Sequence, residues 1–104
     1  MNSKVLTLLG FAAKARKLSY GMNATVFSVK QKKARTVLVA SDISDKSKKE
    51  VNFYCEKFGV NFIALDNYNI ESISRAVGKK CGIVSINDDS FKESISTAIR
   101  EEIR

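Results

Sequence analysis

The stretch Thr36-Val37-Leu38-Val39-Ala40 decides the fold. It is a continuous, β-branched run without a charge. A strand with one wet face alternates apolar and polar side chains. An unbroken run suits a central strand buried on both faces. Burial on both faces requires helices above and below, so the flanking sequence should alternate helices with short strands.

It does so in both directions. Upstream, the spacing predicts a helix over residues 22–33, with Met22, Val26 and Val29 as its buried stripe. Gly21 punctuates the chain just before it. Residues 17–20 are too short for a helix and read as a brief strand. Residues 3–16 read as a helix capped by Ser3, in which Val5, Leu8, Leu9 and Ala12 recur on one face. Downstream, residues 45–58 read as a helix with Val51, Tyr54, Cys55 and Phe58 inward. Ser47-Lys48-Lys49-Glu50 forms its capping box and Gly59 its stop. Residues 61–65 read as a second buried strand, 70–77 as a short helix ended by Gly78, and 83–86 as another strand. Residues 90–103 read as a last helix with Phe91, Ile95, Ala98 and Ile99 in register. The expectation is an α/β chain, a three-layer α/β/α sandwich. Sites in such folds sit on loops beyond strand ends and at helix N-termini.

At 104 residues and 44% hydrophobic composition, the chain reads as one domain over residues 1–104 with one ordinary core. The two cysteines, Cys55 and Cys81, lie among apolar neighbours, and no histidine stands by to complete a zinc site. Both read as reduced core thiols, which implies a cytoplasmic setting and neither metal nor cofactor. No apolar run approaches the ~18 residues of a membrane span. The apolar residues from Val5 to Ala13 are interrupted by Thr7 and Gly10 and do not read as a signal peptide.

Charge is strongly polarised along the chain. Residues 1–49 hold eleven lysines and arginines against two acids, net +9, while residues 50–104 hold seven against nine, net −2. A small domain with one strongly basic half attracts polyanions, of which phosphate backbones are the commonest. The bland alternative is a solvated basic face.

Signals for catalysis are weak. The commonest general base, histidine, is absent, and there is no phosphate-cradling glycine loop of the Walker or dinucleotide type. Asp88-Asp89 reads as a turn or capping pair, and Asp42 as a cap of the turn into the third helix. The chain is therefore not expected to be an enzyme, nor to take a small-molecule substrate.

Signals for binding are better. Gly21 opens a helix whose free N–H groups and dipole can hold an anion or a base edge. A Cβ there would obstruct close approach of a ligand to the backbone. Asn23, just inside that helix, offers both donor and acceptor. Arg16, Lys17, Lys30, Lys32 and Lys33 are expected to surround this end. Gly78-Lys79-Lys80 forms a second glycine-and-lysine loop before a strand. On a wheel of about 100° per residue, Asn23, Phe27 and Lys30 fall away from the Met22–Val26–Val29 stripe. Phe27 therefore lies beside an amide and a lysine. It can stack on an unpaired base or pack on a neighbouring element. Helix ends and loops of this kind suit RNA, whose irregular features they read.

Several segments resemble a known family. Leu8-Leu9-Gly10-Phe11-Ala12, then Ala15-Arg16-Lys17-Leu18 and Gly21, are similar to the opening of the bacterial YlxQ-like proteins. These belong to the kink-turn-binding ribosomal proteins of the archaeal L-seven-Ae and L-thirty-e type. Ala34-Arg35-Thr36-Val37-Leu38-Val39-Ala40-Ser41-Asp42 resembles that family's strand-and-turn segment. Lys48-Lys49, Cys55, Gly59-Val60 and Arg75-Ala76-Val77-Gly78-Lys79 continue the match, from about residue 5 to residue 92.

The resemblance implies an α/β/α sandwich around a mixed, four-stranded sheet. It also implies binding to kink-turn RNA, a sharply bent internal loop with tandem sheared G·A pairs. It carries the contact to those pairs onto Gly21 and Asn23. It carries the contact to splayed nucleotides onto Gly78, Lys79, Lys80 and Cys81. Archaeal members have an acid where this chain has Ala24 and a lysine where it has Phe27. An exposed Phe27 would stand in for that lysine by stacking.

The expected partner is thus a ribosomal or other structured RNA, bound by a monomer away from any membrane. Two alternatives remain open. One is a protein-interaction module docking through the apolar parts of the last helix. The other is a free-standing relative of the substrate-binding domain of RNA methyltransferases.

Overall fold

The computed structural model describes residues 3–103. Its elements are α1 (Lys4–Lys14), β1 (Leu18–Tyr20), α2 (Gly21–Lys30), β2 (Thr36–Val39), α3 (Asp45–Phe58), β3 (Asn61–Ala64), α4 (Ile70–Val77), β4 (Ile83–Ile86) and α5 (Asp89–Ile103). The strands form one sheet in the order β1-β4-β2-β3. β4 runs antiparallel to both β1 and β2, and β3 runs parallel to β2, so the sheet is mixed.

The Thr36–Val39 strand is buried throughout, as its unbroken apolar pattern requires. Its side chains divide between two cores. Leu38 and the following Ala40 face α1, α4 and α5, among Val5, Leu9, Ile73, Val84 and Ile95. Val37 and Val39 face α2 and α3, among Val29, Val51 and Cys55. Helices therefore cover both faces, and the three layers are α1/α4/α5, the sheet, and α2/α3. Leu38 is fully buried, so truncating it to alanine would cost ~2–5 kcal/mol.

The strand at residues 61–65 is not buried as expected. β3 lies at the sheet edge and pairs only with β2. Asn61 and Ala64 are exposed, and Phe62 and Ile63 are half-buried. An apolar run reports average burial and cannot say which strand lacks a second neighbour. The α2 stripe also differs. Val29 is fully buried, but Met22 and Val26 are only partly covered, and Thr25 and Ser28 take the inward positions. In α3, Val51 and Cys55 are buried, Tyr54 is half-buried and Phe58 is 37% exposed.

Two helices stop short of their expected ends for one shared reason. α1 ends at Lys14 and α2 at Lys30 because Arg16 (φ 60°) and Lys32 (φ 61°) adopt the left-handed conformation. In α2 the Lys32 N–H then bonds the Val29 carbonyl, and the Lys33 N–H bonds the Ser28 carbonyl. That is the Schellman closure usually built on glycine. Gly59 (φ 69°) and Gly78 (φ 75°) close α3 and α4 in the expected way.

The caps are partly reassigned. Ser3 caps α1 through the Leu6 N–H, as expected. α3 is capped by Ser44, whose Oγ accepts from the Ser47 N–H at 3.1 Å, so the box at Ser47 is not used. Asp42 does not lead into α3. Its Oδ1 accepts from the Ile70 N–H at 2.8 Å and anchors the start of α4. Asp88 does cap, accepting from the Phe91 N–H at 2.9 Å, while Asp89 pairs with Arg35 at 3.0 Å.

Candidate nucleic-acid interface

Three short elements converge at one end of the sheet. β1 runs into α2 without a loop, so that Tyr20 ends the strand and Gly21 begins the helix. Gly21 sits at φ 84°, which disfavours any side chain with a Cβ. An added Cβ would meet nothing within 4 Å, so the glycine is required by the backbone, and the space in front of it is open. Among the described residues, α1, α3 and α4 have a side chain bonded at the N-cap, from Ser3, Ser44 and Asn69, and Asp88 serves α5. Tyr20 at the N-cap of α2 makes no such bond, and the first turn carries no acid. The first N–H groups of α2 are left without a side-chain acceptor, at the positive end of the dipole.

The loop between α4 and β4 faces this helix end. Lys79 Nζ lies over the Tyr20 ring, 5.2 Å from its centroid. That cation–π contact joins the two segments into one surface. Gly78, Lys79 and Lys80 are exposed, and so is Asn23. Cys81 points the other way. Its thiol is buried, its N–H donates to Ser74 Oγ at 3.0 Å, and its carbonyl accepts from the same hydroxyl at 3.1 Å. Cys81 thus holds the loop, and neither its thiol nor its N–H is free for a ligand. Burial raises the Cys81 thiol, opposed by nearby Lys79. Burial also raises the Tyr20 phenol, with a smaller push from Cys81, so the ring stays neutral under its lysine.

Phe27 is 61% exposed, on the same face as Asn23. Lys30, one turn further on, leans over the Tyr54 ring of α3 at 4.9 Å. The lysines expected around Gly21 do not gather there. α2 has ten residues and so spans about 15 Å, which puts Lys30, Lys32 and Lys33 at its opposite end. Lys17 and Arg16 lie at the far end of β1, where the Lys17 carbonyl accepts from the Asn87 N–H. Sequence proximity to Gly21 misled because a strand and a helix each carry the chain away from the turn that joins them.

The residues that fix α2 escaped the sequence reading. Asn87 Oδ1 accepts from Ser28 Oγ at 2.8 Å and Ser85 Oγ at 2.9 Å, and its Nδ2 donates to Ser19 Oγ at 2.9 Å. One amide therefore ties α2, β4 and β1 together. The signal available was Ser85 inside an otherwise apolar strand, since a buried hydroxyl needs a partner. Tyr20, which receives Lys79, was also missed.

Cys55 is buried and free, and burial pushes its thiol up to about 11. Among the described residues there is no group of three or more histidines, cysteines or carboxylates placed to hold a metal ion. None of their helices is long and apolar enough to cross a membrane.

The fold is an α/β/α sandwich with an uncapped helix start beside a lysine-bearing loop. The chain belongs to the ribosomal protein L7Ae/L30e/S12e/Gadd45 family, which matches residues 3–96. Among curated relatives, it is 29% identical over 96 residues to the RNA-binding protein YlxQ of Enterococcus faecium, covering 92% of this chain and 91% of that one. It is 26% identical over 89 residues to the RNA-binding protein YlxQ of Bacillus subtilis, covering 85% and 87%. A solved structure of a protein of unknown function from Bacillus halodurans superposes with a TM-score of 0.89 at 27% identity, over 95% of this chain and 99% of that one. The 15.5kD RNA binding protein of Giardia lamblia shares the fold, with a TM-score of 0.74 at 20% identity over 94% and 83%. These names are those of ribosomal and RNA-binding proteins rather than of an enzyme family.

Proposed function

We propose that this chain is a non-enzymatic RNA-binding protein that grips a kink-turn type of internal loop with the start of α2 and the Gly78–Lys80 loop. The observation that carries this reading is the Lys79–Tyr20 contact, which makes the two segments one surface. The bare Gly21 backbone and the unpaired N–H groups of α2 suit close approach to a base edge, and the Asn23 amide can both donate and accept there. Lys79 and Lys80 lie where phosphates of a splayed strand would pass. Phe27, largely exposed, supplies a stacking face. Lys17 and Lys30 act at longer range, through the field of the basic half. The printed names of the YlxQ relatives support RNA as the ligand. Two free, buried thiols suit a reducing compartment, and we place the protein in the cytoplasm as a monomer.

A docking role for the last helix draws no support from its apolar residues. Ile95 and Ala98 are buried, and Phe91 and Ile99 pack against the same core.

The test is an affinity comparison by fluorescence anisotropy. A kink-turn RNA should bind at least about tenfold more tightly than the same RNA with its sheared G·A pairs replaced by Watson–Crick pairs, since a lost base contact costs ~1–3 kcal/mol. Equal affinities would leave an RNA binder without kink-turn preference.

A further inference from the structure

The opposite end of α2 carries a feature that the kink-turn surface does not use. A cleft of about 330 Å³ opens between the end of α2, the end of α3 and the first turn of α5. Val29 and Ala34 lie buried beneath it, Val60 and the partly exposed Phe58 border it, and its lining is more polar than apolar. Its rim is cationic, from Lys32, Arg35 and Lys92. Lys57 Nζ lies over the Phe58 ring, 5.8 Å from its centroid, and adds a cation beside it. The volume is at the small end of the roughly 300–1,000 Å³ of ligand clefts, enough for one nucleotide and little more.

Two details show how the rim is held. Lys32 keeps a left-handed backbone, φ 61°, at a position where α3 and α4 use glycine. A lysine is the more strained choice there, and it lines the cleft. Arg35 is fixed from two sides, its Nη1 donating to the Lys32 carbonyl at 3.1 Å and its Nε to Asp89 Oδ1 at 3.0 Å. A guanidinium has five N–H donors, so these contacts leave others for an anion. Asp89 offsets one of the three charges, and the rim stays net positive.

A cationic rim beside one partly exposed aromatic ring suits a flat base attached to a phosphate. We propose that this cleft seats an unpaired nucleotide of RNA, its base against Phe58 and its phosphate against Lys32, Arg35 and Lys92. The proposal rests on the chain being an RNA binder, but not on the kink-turn surface, from which it is separated by about the ~15 Å length of α2. It gives the protein two RNA contacts at opposite ends of one helix.

The decisive variant is Lys32→Gly. It removes a rim charge and relieves the backbone, so its melting temperature should equal or exceed that of the parent, and any lost binding cannot be blamed on unfolding. The probe is a short fluorescein-labelled oligouridine, followed by anisotropy over a range of salt. Combined with Lys92→Glu, the change should weaken oligouridine by about tenfold and lower the salt slope by roughly 1.4, or ~0.7 for each lost phosphate contact on a single strand. Affinity for a kink-turn duplex should fall by less than affinity for oligouridine, because that duplex loses only the long-range field of these charges. 4-Thiouridine crosslinks from the same oligomer should map to the peptides holding Phe58 and Lys92. The proposal fails if the parent does not bind oligouridine, if the double variant binds it equally well, or if crosslinks map to Tyr20 and Lys79 instead. It also fails if a polyglutamate peptide occupies the cleft and oligouridine does not displace it. A protein that shows no kink-turn preference yet loses oligouridine on these changes would keep this site and lose the other.

Discussion

The two ends of α2 differ in what they offer a polyanion. The Gly21 end offers backbone: uncapped N–H groups, a glycine with open space before it, and one neighbouring loop joined by Lys79 on Tyr20. The Lys30 end offers side chains: Lys32, Arg35 and Lys92 around a shallow cleft beside Phe58. Backbone donors fixed in a rigid frame read shape, whereas long cationic side chains supply attraction that is strong at low salt and poorly directional. In the proposed function, the charged end attracts RNA and the uncharged glycine end reads it.

The comparison depends on α2 being held rigidly, and the largest expected effect breaks that support. Asn87→Leu removes the amide on which Ser19, Ser28 and Ser85 converge. Leaving buried hydroxyls unpaired should cost about 2–4 kcal/mol, visible as a lower midpoint in urea, and both ends should lose RNA together. Loss at only one end would mean that the two ends are not coupled through this network.

Phe27→Ala sharpens the comparison at the reading end. With the ring 61% exposed, stability should change by no more than ~0.5 kcal/mol. If the ring stacks on a base, affinity for the kink-turn RNA should fall by ~1–3 kcal/mol. A large fall in melting temperature with affinity preserved would make Phe27 a packing residue.

Gly21 distinguishes backbone demand from ligand demand. Asparagine tolerates the left-handed region better than a β-branched residue, so Gly21→Asn should lose less stability than Gly21→Val, by about 1 kcal/mol in a thermal melt. Both should weaken kink-turn binding, because both place a Cβ in the open space before the helix. If Gly21→Asn binds as well as the parent, the glycine serves the turn alone. The smallest effect concerns the other end, where Lys32→Gly should stabilise by up to ~1 kcal/mol, measured by urea denaturation.

Much of this was legible in the chain. Thr36 to Ala40 announced a strand covered on both faces, and the alternation around it announced the layers. Sheet order was not legible, since nothing local says that β3 has one neighbour and β4 has two. Gly21 and Gly78 stood out because left-handed positions favour glycine, but Arg16 and Lys32 occupy such positions without that mark. The polar inner face of α2 was hidden, because Ser28 looks like a surface residue until Asn87 arrives from a distant strand end, and Thr25 is buried with its hydroxyl unpartnered. The gathering of lysines around Gly21 was wrong for a geometric reason already visible in the helix length.

In the proposed function, RNA meets this protein at the start of α2 and at the Gly78–Lys80 loop together. Amide chemical-shift mapping during titration with a kink-turn RNA tests it most directly. The largest changes should fall on Gly21, Met22, Asn23 and Ala24 and on Gly78, Lys79 and Lys80, and they should saturate at one RNA concentration. Changes confined to α5, or at the lysines with Gly21 and Gly78 unmoved, would contradict it.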